Sequence, residues 1–134
     1  MDDEYKSYWW GDQVAVSHKD LEGWTKAADV AAAIAGGLSA SGVSAPVTAP
    51  IAAVLTGATA TLKLIDNGNG IYINILKVKV LSEPIRLLLK VAMITTPLLG
   101  LLVEFINEEM DIDVVEGAIF VIGQGDIIVF PSRR

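Results

Sequence analysis

The stretch from Val30 to Leu62 contains no charged residue and is built mostly from Ala, Gly, Ser, Thr, Val, Ile and Leu. It is too long for one core strand and too poor in large side chains for an ordinary core helix. Gly36-Gly37, Gly42, Pro46 and Pro50 divide it. The rest of the chain must therefore bury this stretch, place it in a membrane, or hold it against another copy.

Apolar residues in and around this stretch recur at alternating spacings of three and four, which is the pattern of a buried helix face. Ser17 followed by Asp20 predicts a capped start for the first helix, which continues to the glycines before residue 42. Asp66–Gly70 predicts the end of the second. We expect the two helices to form an antiparallel hairpin, packed closely through small side chains. The residues expected to make helix–helix, oligomer or membrane contacts are Trp24, Ala28, Ala31, Ala35, Leu38, Ile51, Leu55, Ala58 and Leu62.

Strands are predicted on both sides of the helical hairpin. Tyr8 to Val16 is typical of a first strand. Ile71 to Leu81 predicts a long strand in which Ile71, Ile73 and Ile75 share a parity with Lys77 and Lys79. Strict alternation cannot bury both sets against one core, so we expect either a bulge or, as we favour, a first half that is covered on both faces.

The rest of the chain predicts a third helix and a β-hairpin. Ser82-Glu83-Pro84 begins a helix that runs to about Ile106, is kinked at Pro97, and has a charge-free part too short to span a bilayer. The tail strands are expected at Ile112–Val115, at Ala118–Ile122, and at Ile127–Phe130, with a Gly123-Gln124-Gly125 turn and a stop at Pro131. The fold class is therefore α+β, with a strand-helix-helix-strand unit (1–81) and a helix plus β-hairpin unit (82–134) packed as one compact domain.

Composition narrows the class of partner. The chain is 52% apolar and only 19% charged, with a net charge of −6 that falls mainly at its two ends around a basic middle. No dense basic face is available to neutralise phosphates, so nucleic acid is not expected as a partner. Cys is absent, which excludes disulfides and thiolate chemistry. The acidic N-terminus is unlike a Sec-type signal peptide, so we expect cytoplasmic synthesis with leaderless export as an option.

Few residues suggest chemistry. His18 lies at a strand-to-helix junction without a nucleophile elbow around Ser17, which favours a surface or capping role. The acidic segment 108–116 lacks the spacing of an EF-hand, and we interpret it as a solvated helix end and strand edge. Asp66–Gly70 is more simply a helix stop than an oxygen-ligand loop. We therefore predict no enzyme, no cofactor and no metal site.

The aromatic residues Trp9 and Trp10 lie close together near the N-terminus. In a soluble protein they would cover one end of the core. In a membrane-active protein they would lie at the lipid interface, where amphipathic rings are favoured.

From Trp9 to Ile75 the chain resembles small leaderless bacteriocin-like bacterial proteins. The shared features are Trp10-Gly11 at a strand, a capped helix, the uncharged Ala/Gly-rich hairpin, and Asp66–Gly70 leading into an Ile-rich strand. The resemblance implies activity on membranes and carries no catalytic residue.

Three functions remain open at this point. The first is a non-enzymatic, oligomerising protein that is membrane-active or pore-forming. The alternative is a self-assembling structural subunit of a ring, filament or shell, and the third is an ordinary soluble binding module. The expected partners are further copies of the chain and, for the first function, membrane lipid.

Overall fold

A computed structural model describes residues 4–43, 45–80, 119–122 and 127–133, together with single positions 83, 86, 87, 104, 107, 108 and 112. The elements in chain order are β1 (Glu4–Tyr8), β2 (Gly11–Val16), α1 (His18–Lys26), α2 (Val30–Ala40), α3 (Ala45–Gly57), α4 (Thr59–Ile65), β3 (Ile71–Lys77), a 3₁₀ helix (Val78–Val80), β4 (Phe120–Ile122) and β5 (Ile127–Arg133). The chain is an α+β protein, as predicted.

The described strands form one antiparallel sheet in the order β1-β2-β3-β5-β4. The prediction of a single strand from Tyr8 to Val16 is wrong, because the chain turns at Trp9-Trp10 and Tyr8 pairs with Gly11. This hairpin escaped prediction since β1 alternates polar with aromatic residues and contributes no apolar run. Residues 5–8 are exposed along one edge of the sheet.

Strand β3 lies in the middle of the sheet and is buried on both faces. Ile71, Ile73 and Ile75 are buried on one face, and Asn74 and Leu76 are buried on the other. This confirms the expectation of a first half covered on both sides. The predicted strand is too long, however, since it ends at residue 77 and the 3₁₀ helix follows. The isoleucines and Lys79, which share a parity in the sequence, are therefore not on one continuous strand, because β3 ends before Lys79.

The predicted first helix is two helices. Ser17 caps α1 as expected, with its hydroxyl accepting from the main-chain N–H of Asp20 at 3.1 Å. Ala27 then takes an extended conformation, and the Asp29 carboxylate accepts from the N–H of Ala32 to begin α2. Asp29 is thus a second N-cap. The sequence did not reveal it, because the spacing of the apolar residues continues from α1 into α2 without interruption.

The predicted second helix is also broken. Ala58, after Gly57, has dihedral angles outside the α region, and α3 and α4 meet there at a bend of 81°. The break keeps the apolar stripe buried on both sides of it, because Ile51, Leu55, Leu62 and Ile65 are all at most 2% exposed. Asp66 ends α4, in agreement with the predicted helix stop.

The four helices share one core with one face of the sheet. The buried cluster joins helical side chains such as Leu38 and Leu55 to sheet side chains such as Val14, Ile73 and Val129. Helices α2 and α3 pack against each other, and the short connection between them makes the pair an antiparallel hairpin. The large side chains of the uncharged stretch therefore point into the protein.

The C-terminal strands complete the sheet. Strand β5 lies between β3 and β4, so the end of the chain joins the sheet of the N-terminal strands. The predicted stop at Pro131 is wrong, because Pro131 pairs with Ile73 and β5 continues to Arg133. The described pairs between β4 and β5 end at Val129, two residues before Pro131. The predicted helix at 82–106, the strand at 112–115 and the turn at 123–125 lie outside the continuously described ranges.

Candidate functional site

The predicted contact residues fall into two groups. Trp24, Leu38, Ile51, Leu55, Ala58 and Leu62 are buried inside the chain. Ala31 and Ala35 are half-buried, and Ala28 is exposed in the break between α1 and α2. The large members of the stripe thus contact the sheet and each other.

Among the described residues of the α2–α3 hairpin, the exposed side chains are all small and uncharged. Its exposed residues are Ala32, Gly36, Ser39 and Ala40 on α2, and Ala49, Ala53 and Gly57 on α3. A Cβ atom added at Gly36 or Gly57 would meet no atom within 4 Å, so this surface is open. The outer side of a soluble helix is normally marked by Lys and Glu, and here it is marked only by small size. We call these seven residues the small-residue face.

Length and composition limit what the helices can span. Among the described residues, no single helix is both long enough and apolar enough to cross a bilayer. Thr48–Gly57 and Thr59–Ile65 meet those requirements only as a pair, bent by 81°. Leu64, on α4, is 82% exposed.

The two neighbouring tryptophans have different environments. Trp10 is buried, its ring stacks on Tyr8 with centroids 5.0 Å apart, and its main-chain oxygen accepts from the N–H of Lys77 at 2.8 Å. Trp9 is 57% exposed. Trp10 therefore covers one end of the sheet, and Trp9 alone is available for an outside contact.

A cluster of charged side chains joins the start of α1 to the end of α4. The Nδ1 atom of His18 lies 2.5 Å from Oδ2 of Asp66, and its Nε2 lies 3.3 Å from Oε1 of Glu22. Because both ring nitrogens face carboxylates, the imidazolium form is favoured. The hydrogen bond with Asp66 is the main cause that raises the pKa of His18 above 6.5, with further contributions from the charges of Asp66 and Glu22.

Asp66 is fixed by the turn that ends α4. Its Oδ1 accepts from the N–H groups of Gly68 and Gly70 at 2.9 and 3.0 Å. Gly70 is required here, because its φ is +90° and an added Cβ would lie 2.0 Å from the main-chain oxygen of Val16. Burial alone would raise the pKa of Asp66, but the hydrogen bonds from His18 and from the two amides lower it overall.

A pocket of about 280 Å³ opens beside this cluster. Its lining residues are His18, Leu21, Glu22, Thr25, Lys26, Lys63 and Asp66. The hydroxyl of Thr25 donates to the main-chain oxygen of Glu22 at 3.1 Å. In the part of the chain that the structure describes, no group of three or more His, Asp or Glu residues is arranged to hold a metal ion.

The sequence predicted a surface or capping role for His18 and did not reveal its pairing with Asp66. The two residues are 48 positions apart, and no local spacing connects them. The available signal was the start of one helix and the end of another, which only the packing of α1 against α4 brings together. Asp111, Asp113 and Glu116 of the acidic segment lie outside the described residues.

No protein-family model, curated protein or solved structure matches this chain.

Proposed function

We propose that the protein is a non-enzymatic subunit that associates with copies of itself through the small-residue face. The observation that carries the proposal is the exposure of this face without a single charge from Val30 to Leu62. Small side chains let the backbones of two helices approach closely, which increases van der Waals contact between them.

The size of the face determines the kind of assembly. Helices of 11 and 13 residues are about 16 and 20 Å long, and two helices in contact present a surface about 20 Å wide. Two such faces bury about 800 Å² in total, which is no more than a large crystal contact. A contact of this size is weak alone, so stable association needs each copy to contact two or more neighbours, as in a ring or filament.

The distribution of charge permits contact at the small-residue face. Lys6 on β1 is exposed at the sheet edge, whereas the small-residue face carries no charge. Like-charge repulsion therefore does not oppose contact at the hairpin. The chain's net charge of −6 acts elsewhere and limits non-specific aggregation.

The test is sedimentation of the full chain from micromolar to near-millimolar concentration. We expect the wild type to form species larger than a monomer. Ala53→Glu places a charge in the centre of the contact, and we expect it to weaken association by at least about tenfold, because an unpaired charge would be buried. Gly23→Glu is the matched control, since Gly23 is exposed on α1 and an added Cβ meets nothing within 4 Å.

Two results would contradict the proposal. One is a wild type that remains strictly monomeric at the highest concentration. The other is an equal loss of association in both variants, which would indicate a general effect of charge.

Membrane activity is a second candidate, supported by the bent helix pair and by the exposed apolar side chains of Trp9 and Leu64. For the pair to enter a bilayer, buried residues such as Leu55 must leave the sheet for lipid. Release of a dye trapped in liposomes tests this function. We expect release by the wild type and less by Ala53→Glu, since an acidic residue at a span centre costs about 3 kcal/mol. Liposomes that stay tight at micromolar protein would refute membrane activity and leave self-association intact.

A further inference from the structure

Among the charged groups that line the pocket between α1 and α4, the positively charged ammonium groups are available to a ligand and the carboxylates are not. Its two carboxylates are already engaged: Asp66 accepts from His18 and from two main-chain amides, and Glu22 faces the second ring nitrogen of His18. By contrast, the ammonium groups of Lys26 and Lys63 form no ion pair with any residue in the described ranges. Two cations therefore border the pocket without a fixed partner.

The pocket also has an apolar floor. Leu21 belongs to the core cluster and is held beneath the opening with only 2% of its surface exposed, and the methyl group of Thr25 and the methylene chains of the two lysines complete the apolar lining. A volume of about 280 Å³ is at the small end of ligand pockets. An occupant is thus compact and has an apolar body and an anionic end.

We propose that this pocket binds a small organic carboxylate with a short aliphatic body, held by Lys26 and Lys63 over Leu21. The carboxylate accepts hydrogen bonds from the two ammonium groups, which are stronger than neutral hydrogen bonds. The aliphatic body contacts Leu21 and covers the methylene chains of Lys26 and Lys63, from which it excludes water. The ion pairs around His18 hold the two helices at the spacing that the ligand needs.

Octanoate, below its micelle-forming concentration, is the probe, and amide chemical shifts of the ¹⁵N-labelled full chain are the readout. The titration is made at constant ionic strength with sodium chloride, so that general salt effects are removed. We expect saturable shifts confined to α1 and to the end of α4. Inorganic phosphate, which has charge but no apolar body, is expected to bind at least about fivefold more weakly, because it covers none of the apolar lining.

A pair of double variants tests the two lysines. Lys26→Gln with Lys63→Gln keeps two polar side chains and removes both charges, and we expect it to weaken octanoate binding about tenfold. Lys6→Gln with Lys19→Gln removes the same charge from exposed positions outside the pocket and is expected to bind as the wild type does.

Three results would overturn the proposal. The first is the absence of saturable shifts with octanoate in the wild type. The second is equal weakening in both double variants, which would reduce the effect to net charge. The third is phosphate binding as tight as octanoate binding, which would remove the role of the apolar floor. Failure of self-association leaves each of these outcomes unaffected, because the pocket lies away from the small-residue face.

Discussion

Asn74 is a buried polar residue in the middle of the sheet, and its replacement should be among the most destabilising in the described chain. It is 0% exposed. Its Oδ1 accepts from Nε2 of Gln13 at 2.8 Å, and its Nδ2 donates to the main-chain oxygen of Phe130 at 3.1 Å and to Oγ of Ser132 at 3.0 Å. One side chain therefore connects three neighbouring strands.

The magnitude follows from these three hydrogen bonds. A hydrogen bond contributes about 1 kcal/mol net, so Asn74→Ala should lower the free energy of unfolding by about 3 kcal/mol, and more where a former partner stays buried without a replacement. Ser132 is 3% exposed and is the partner most affected. Ser132→Ala alone should cost about 1 kcal/mol. Because that variant removes the stranded hydroxyl, the double variant should cost about 1 kcal/mol less than the sum of the two.

Urea unfolding followed by tryptophan fluorescence measures these differences. With a slope of about 2 kcal/mol per molar urea, a loss of 3 kcal/mol lowers the midpoint by about 1.5 M. Asn69→Ala is the matched control, since Asn69 is exposed, and it should change stability by less than about 0.5 kcal/mol. If Asn74→Ala costs no more than this control, or if the cycle with Ser132→Ala is additive, then the network is not stabilising the sheet.

Two further variants test the helical layer and the cluster at its edge. A Cβ at Gly37 would lie 2.2 Å from Cζ2 of Trp24, so Gly37→Ala should lower the free energy of unfolding by about 1–3 kcal/mol through overpacking. The neighbouring Gly36 faces open space, so Gly36→Ala should be neutral or should stabilise the protein by up to about 1 kcal/mol. Equal effects of the two variants in urea unfolding would contradict this packing. The pKa of His18 is raised on folding, so the contribution of His18 to stability is complete below pH 6.5 and is lost as the pH rises through the raised pKa. The pKa of Asp66 is lowered on folding, so the contribution of Asp66 is lost as the pH falls through the lowered pKa. Thermal unfolding between about pH 5 and about pH 9 should therefore show the wild type losing its advantage over His18→Gln as the pH rises, and parallel curves for the two proteins would refute the pairing.

Local sequence patterns predicted which side chains are buried better than where each helix begins and ends. The second stripe, from Ile51 to Ile65, identified side chains that are all buried, because a helical period of 3.6 survives a single break. The break at Ala58 could not be predicted, since neither Gly57 nor Ala58 prevents a helix from continuing. In the first stripe the prediction is right for Leu21, Trp24 and Leu38 but not for every residue between them, where the chain breaks between α1 and α2. Ile34 is fully buried and was not part of the predicted stripe, while Ala28 was part of it and is exposed.

Contacts between distant parts of the chain could not be predicted at all. Asp66 was recognised as a helix stop from the glycines that follow it, and that role is local. Its second role, holding His18, depends on the packing of α1 against α4, which a one-dimensional pattern does not specify. The same holds for Asn74, which reads in sequence as a polar interruption of an Ile-rich strand. Its partners Gln13 and Ser132 come from the beginning and the end of the chain.

The uncharged stretch separates its two faces by size instead of by polarity, and this has a consequence for how the chain can associate. In an ordinary amphipathic helix the outer charges oppose contact with a second apolar surface, because each charge must lose its bound water on contact. On α2 and α3 the outer residues are Ala, Gly and Ser, so contact removes little bound water and costs little side-chain entropy. The gain is also small, since little apolar area is buried per residue. Such a face favours contacts that form easily, separate easily, and become stable only when several act together. A single exposed charge at Ala53 should therefore weaken the whole assembly much more than it changes the fold of one subunit.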